Sequence, residues 1–306
     1  MSLVERALKK LQESRAGLPE AAQPVARASA VFGKIVESTV PNPLDPTAVP
    51  RSTKTLVIDR SLLRAAGLLS PESQERQIAD EYRQIKRPLI AKIFGLGGVP
   101  RLENGHLIMM ASAVPGDGKT FSSINLALSI AMEKDISILL VDADVAKPHI
   151  STIFGVNKEP GLLDVLRDEK INVESVVLAT NVPRLSILSA GTPSETATEF
   201  LASERMRQVV EQLGANDPNR IVLFDSPPLL LTSESRVLAG IVGQIVLVVC
   251  AGRTPQQAVF DTLDLLGEGK SIGLVLNQSD ERSGSSYRYG YYGTVDAPQP
   301  NSNTSS

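Results

Sequence analysis

The stretch "ASAVPGDGKTFSSINLALSI", Ala111 to Ile130, decides how the chain is read. It begins at the end of an apolar run, "LIMMAS", crosses a short glycine-bearing loop and leaves in a helical segment. A loop placed between strand and helix can hold phosphate. Its glycines let successive backbone N–H groups turn toward phosphate oxygens, a lysine reaches the β and γ phosphates, and a hydroxyl binds magnesium. Gly116, Asp117, Gly118, Lys119 and Thr120 stand in those places, and the helix adds its positive N-terminal end. Ala113 replaces the first glycine of the general GxxxxGK pattern. Pro115 and Phe121 flank the loop and are counted with the nucleotide-binding set, as is Asn277 at the end of the last apolar run.

Outward from this loop, short apolar runs alternate with helical stretches: "HLIMMAS", "SILLVDAD", "LSILSAG", "RIVLFDS", "GQIVLVVC" and "SIGLVLNQ". Continuous apolar strands separated by helices predict a parallel sheet covered on both faces. Helices are expected over Lys119 to Glu133, Glu199 to Leu213, Ser233 to Ala239 and Pro255 to Gly267. The fold class is α/β, a doubly wound, mostly parallel sheet of the P-loop NTPase type. Acids at strand ends then carry chemistry, because magnesium and the attacking group sit at the C-terminal edge of such a sheet. "ILLVDADVAKPHI" supplies Asp142 and Asp144, and "IVLFDSPPLL" supplies Asp225. A single acid after a strand is often a helix cap; three beside a P-loop are read as a site.

The flanking regions differ from this core. Four regions are expected: an amphipathic helix and flexible linker over 1–52, a helical part over 53–105, the P-loop core over 106–280, and a flexible Tyr-rich tail over 281–306. Leu3, Val4, Ala7, Leu8 and Leu11 recur at helical spacing, which suits a solvated helix or one docked on a membrane or partner. Ala16 to Arg51 is rich in Pro, Ala and Ser and reads as a linker. After a short "LVID" run, one helix and then a second, from a Ser-Pro start near Ser70 to about Phe94, are expected. With a net charge of -3 over 306 residues, the chain has no overall electrostatic case for nucleic acid. No apolar run approaches the roughly 18–20 residues that span a bilayer. The opening residues lack a signal peptide's apolar segment. Cys250 is the sole cysteine and lies in a strand-like run, which fits a reducing compartment, so the chain is expected to be cytoplasmic. A histidine metal site is discounted, since His106 and His149 are the only two and lie apart in sequence.

These residues carry a family resemblance. "SAVPGDGKT", "ILLVDADVAKPHI" and "IVLFDSPP" resemble the Walker A, Walker A′ and Walker B motifs of bacterial tyrosine autokinases of capsule and exopolysaccharide synthesis. "AGTPSETATEFLASERMRQVVEQL" also resembles a segment of that family, with Ala197 and Thr198 where Asn-Pro is frequent. The motifs relate the family to ParA and MinD type ATPases, but those usually carry a second lysine early in the loop, where this chain has Val114 and Pro115. The resemblance implies ATP and Mg2+ as cofactors. Lys119 would hold phosphates, Thr120 would bind the metal, and Asp142, Asp144 and Asp225 would orient it, with Asp142 or Asp144 accepting a tyrosine proton. Family members also carry an acid-x-x-Arg-x-x-Arg helix that contacts a neighbour in a ring; "DEYRQIKR" offers Asp80, Arg83 and Lys86, with Arg87 nearby.

The tail is read as the phosphate acceptor, with a binding tail that stacks its rings on a partner as the alternative. Tyr287, Tyr289, Tyr291 and Tyr292 are four of the chain's five tyrosines, set among Ser, Gly and Arg without apolar periodicity, which argues against a core role. The resemblance implies that such clusters are autophosphorylated in trans. It also implies three partnerships: a membrane chain-length regulator or polysaccharide co-polymerase whose cytoplasmic tail activates the kinase, a cognate tyrosine phosphatase, and a homo-oligomeric ring. The kinase would then sit at the inner face of the plasma membrane through its partner. The opening "SLVERALKKLQ" and long linker resemble the variant found with exosortase-linked exopolysaccharide systems. The rival reading is a ParA/MinD-like ATPase that positions or assembles other components without phosphorylating protein. A small-molecule kinase is a third, and it gives the tyrosines no role.

Overall fold

The computed structural model describes residues 32–37, 54–215 and 217–279. Each of the six apolar runs forms a strand, and three further strands join them: β1 (Gly33–Glu37), β2 (Lys54–Ile58), β3 (Leu107–Ser112), β4 (Ser137–Asp142), β5 (Leu178–Thr180), β6 (Leu185–Leu188), β7 (Arg220–Asp225), β8 (Gln244–Cys250) and β9 (Ser271–Asn277). They make one sheet in the order β1-β2-β5-β6-β4-β7-β3-β8-β9. From β6 to β9 every pairing is parallel. β5 joins β6 antiparallel, β2 joins β5 parallel, and β1 closes the edge antiparallel to β2.

Alternate residues of the central strands face opposite sides, as extended backbone requires. Leu107, Met109, Leu139, Val141, Val222 and Phe224 enter one apolar layer. Ile108, Met110, Ile138, Leu140, Ile221 and Leu223 enter the other. Both layers are covered by helices, which is why the strands read as unbroken apolar runs. The helices are α1 (Arg60–Ala65), α2 (Glu75–Phe94), α3 (Lys119–Ile130), α4 (His149–Phe154), α5 (Leu162–Arg167), α6 (Val173–Val176), α7 (Ala197–Leu201), α8 (Glu204–Ala215), α9 (Ser233–Ile241) and α10 (Gln256–Leu266). Leu63, Leu89, Ile124, Ile130 and Phe154 bring α1 to α4 onto one face; Leu163, Val209, Leu238 and Val259 bring α5, α8, α9 and α10 onto the other.

Several expectations change. Gly33–Glu37 lies inside the stretch expected to be linker, yet pairs with Lys54–Ile58 and extends the sheet. The sheet therefore reaches beyond 106–280, into both the presumed linker and the part expected to be helical. The helix expected over Glu199 to Leu213 divides into α7 and α8. The helix from Lys119 stops at Ile130 instead of Glu133. The helix expected from Ser70 begins in a short 3-10 turn at Glu72–Gln74 and ends at Phe94, where Gly95 takes the left-handed conformation at φ 69°. The amphipathic stretch from Leu3 to Leu11 and the tyrosines of the tail lie outside the described residues.

Candidate active site

The topology gathers the predicted residues at one edge. Ser112, Asp142, Asp225 and Asn277 each end a parallel strand, so all four lie at the C-terminal edge of the sheet. Asp142 and Asp225 are register partners on adjacent strands, which sets their carboxylates side by side. The loop after β3 passes above them and starts α3 at Lys119.

Lys119 and Thr120 both engage Asp225. Lys119 Nζ lies 2.8 Å from Asp225 Oδ1, and the Thr120 hydroxyl donates to Asp225 Oδ2 at 2.8 Å. Ser123, one turn further along α3, donates to the same Oδ1 at 2.9 Å. Asp225 is fully buried, and three donors from one helix turn neutralise and fix it. Asp142 is equally buried but differently supported: its Oδ2 accepts from the Ser151 N–H and hydroxyl, both at 2.7 Å. Its Oδ1 has no hydrogen-bond partner among the described residues. Burial pushes the Asp142 carboxyl up to about 7, with the nearby Asp225 and Asp144 charges adding to the rise and the Ser151 hydrogen bonds opposing it. Asp144 is 5% exposed and also raised by burial, with the Lys119 charge pulling the other way.

The loop itself is braced from the β8 and β9 side. Asp117 is buried, accepts from Thr254 Oγ1 at 2.6 Å and from Val114 N–H at 3.3 Å, and sits above its ordinary pKa because of burial. Asn277 donates to the Asp117 carbonyl at 2.9 Å, and Arg253 donates to the Gly116 carbonyl. Asn277 thus braces the phosphate loop from beneath. Gly116 and Gly118 have φ of 83° and 91°, values at which a side chain is strained, and a Cβ on Gly118 would collide with Asn277 Nδ2. The sequence motifs did not reveal Ser123, Ser151, Arg253 or Thr254. Ser123 alone carried a legible signal, one helical turn after Lys119.

A cavity of about 330 Å3 opens beside the loop. Gly116, Gly118, Lys119 and Thr120 form one wall; Asp144, Lys147, His149, Pro227, Pro228 and Leu231 form another. The orphaned Asp142 Oδ1, the Thr120 hydroxyl and the Asp225 carboxylate supply the oxygen donors that suit a magnesium ion carrying water and phosphate ligands.

The oligomerisation set divides. Asp80 and Arg83 are exposed and paired with each other on the outer face of α2, and Arg87 is exposed. Lys86 points inward and is 6% exposed: its Nζ donates to the Ser129 carbonyl at 2.7 Å and pairs with Glu133 at 2.6 Å. It joins α2 to the end of α3 and does not stand on the outer face with Asp80 and Arg83.

Phosphate loop, strand-end carboxylates and doubly wound sheet together define a P-loop nucleotide-binding enzyme. Residues 105–252 match the AAA domain family. The chain is 33% identical over 192 residues to tyrosine-protein kinase YwqD of Bacillus subtilis (strain 168), an overlap of 62% of this chain and 78% of that protein. It is 32% identical over 186 residues to tyrosine-protein kinase etk of Escherichia coli (strain K12), covering 60% of this chain but 25% of that longer protein. Among solved structures, the kinase domain of Escherichia coli ETK superposes with a TM-score of 0.58 at 29% identity, covering 70% of this chain and 80% of that one. The VpsO kinase domain superposes at 0.56 with 28% identity, covering 69% and 100%. The chain belongs to the bacterial tyrosine-protein kinase family, and its P-loop fold implies use of ATP.

Proposed function

We propose that the chain transfers the γ-phosphate of ATP to Tyr287, Tyr289, Tyr291 and Tyr292 of neighbouring copies, and that this cycle regulates polysaccharide polymerisation and export. The observation that carries the reading is the convergence of Lys119, Asp142, Asp144 and Asp225 at the mouth of the phosphate loop, beside a cavity with room for an acceptor. A phenol with pKa near 10 is a weak nucleophile at neutral pH. Positioning and charge stabilisation therefore carry most of the rate. Lys119 and the loop amides hold the phosphates. Thr120, Asp142 and Asp225 would hold a magnesium ion, directly or through water, which would supply positive charge beside the phosphate oxygens. Asp144 lines the cavity and takes the phenolic proton.

Transfer in trans requires assembly, for which α2 offers exposed charges that include Asp80, Arg83 and Arg87. Each phosphotyrosine adds about -1.5 to -2 charge, so four filled sites would add roughly -6 to -8 and drive tails apart. A membrane co-polymerase with an activating cytoplasmic tail and a tyrosine phosphatase complete the proposed cycle, and place the kinase at the inner membrane face. The test is to incubate pure protein with ATP and magnesium, probe for phosphotyrosine, and map it by mass spectrometry, with Lys119→Ala as control. Phosphate on the tail tyrosines supports the reading. ATP hydrolysis without phosphotyrosine, even with the partner's cytoplasmic tail present, supports a ParA/MinD-like ATPase instead.

A further inference from the structure

The cavity beside the phosphate loop is asymmetric. Its walls come from the loop, from residues after β4 (Asp144, Ala146, Lys147, His149) and from residues after β7 (Pro227, Pro228, Leu231, Thr232); none of the described residues after β8 or β9 lines it. Since β3 lies between β7 and β8 in the sheet, the cavity opens on the β4 and β7 side of the loop. The three carboxylates end or follow those same strands. A metal ion held by these carboxylates, and the phosphate it would serve, would therefore lie on the cavity side, whereas Asn277 and Arg253 brace the loop from the β8 and β9 side. Phosphoryl transfer places the incoming and leaving oxygens roughly in line across phosphorus. An acceptor must then approach from the cavity.

Beyond the charged end, this space is walled by Phe121, Ala146, Pro227, Pro228 and Leu231. Leu231 is 64% exposed at the mouth and lies close to the chemistry, where a solvent-facing leucine has no packing role. At about 330 Å3 the cavity is at the small end for ligand pockets, suited to a phosphate group and one ring. We propose that these apolar walls form the acceptor pocket for a tyrosyl phenol, and that Leu231, with Phe121 and Pro228, selects tyrosine over serine and threonine. An aromatic ring fills the space and buries the apolar surface; a short hydroxyl side chain leaves it empty and its oxygen short of the phosphate. In the step itself the phenolic oxygen bonds to the γ-phosphorus as the bond to the β,γ-bridging oxygen breaks. ADP departs with that electron pair, and the phenolic proton passes to Asp144.

This inference rests on the tyrosine-kinase reading above. The test uses the full-length protein, wild type and Leu231→Asp, with a synthetic peptide of residues 285–295 as acceptor. A fluorescent form of that peptide with Phe at its four Tyr positions, measured in the presence of a non-hydrolysable ATP analogue and magnesium, reads binding without turnover. The expected result is a rise of roughly ten-fold or more in the peptide's KM and in the Phe-peptide's Kd, with ATP affinity changed less than about two-fold. Leu231→Met, which keeps the apolar surface, should restore wild-type values. Wild-type activity with unchanged peptide KM and Kd in Leu231→Asp overturns the pocket and leaves the kinase reading intact. No phosphotyrosine from the wild type, with the partner's cytoplasmic tail present, overturns both.

Discussion

Replacing Asp142 by Asn should flatten the pH dependence of the protein's stability in the absence of metal and nucleotide. The carboxyl is fully buried and its pKa rises from 3.8 to about 7 on folding. Between those values the folded chain holds a proton that the unfolded chain has released, so the free energy of unfolding must fall as pH rises through the window. Carrying the two pKa values through the linkage relation from about pH 5.5 to about pH 8.5 gives a loss of about 2 kcal/mol from this one group. In a domain of this size that is a fall in Tm of about 4–8 °C. The assay is thermal unfolding of wild type and Asp142→Asn in EDTA at both pH values. Asp117 and Asp144 are raised in the same direction, and the lowered pKa of half-buried His106 works in the opposite sense, so the difference between the two proteins isolates Asp142. If both proteins lose equal stability over that range, Asp142 is not the strained, partly protonated group described here. The same strain has a functional side. A divalent ion must displace the proton, so nucleotide–magnesium binding should release protons near neutral pH.

The remaining expectations concern the loop and the outer helix. Gly118→Ala places a side chain at φ 91° and against Asn277, so it should lower stability by about 2 kcal/mol or more and abolish nucleotide binding; adding Asn277→Ala should recover part of the stability, since the backbone strain remains. Denaturant titration of the single and double variants measures both. Lys86→Ala removes a buried lysine's hydrogen bond to Ser129 and its ion pair to partly exposed Glu133, and should cost about 1–3 kcal/mol by the denaturant midpoint. Arg83→Glu, on the exposed face, should leave that midpoint within about 0.5 kcal/mol and change the assembled mass in light scattering.

What the sequence made legible follows from where the constraints are local. The central strands β3, β4, β7 and β8 are buried on both faces and so had to be written as continuous apolar runs, and the acids at strand ends stood out against those runs. β1 was invisible because "GKIVE" has five residues, sits in a Pro- and Ser-rich stretch, and depends on a partner seventeen residues beyond its end. β5, with three residues and an antiparallel pairing, had no periodicity to read. The inward turn of Lys86 was within reach: Tyr82, Lys86, Leu89 and Ile93 recur at helical spacing and are the buried residues of α2, but the charge pattern of the helix masked its apolar face. Ser151 and Thr254 were out of reach, because Ser151 meets Asp142 only where α4 folds back on the end of β4, and Thr254 meets Asp117 only where the sheet brings two loops together.

The central claim is that one copy of this chain phosphorylates the tail of another. Its most direct test mixes two chains, each unable to phosphorylate itself. One is a full-length Lys119→Ala chain with its tyrosines intact; the other is an otherwise wild-type chain with Tyr287, Tyr289, Tyr291 and Tyr292 changed to Phe. With ATP and magnesium, the account predicts phosphate on the tail of the Lys119→Ala chain in the mixture and on neither protein alone. A mixture that hydrolyses ATP and leaves that tail unmodified, with the partner's cytoplasmic tail present, would contradict it.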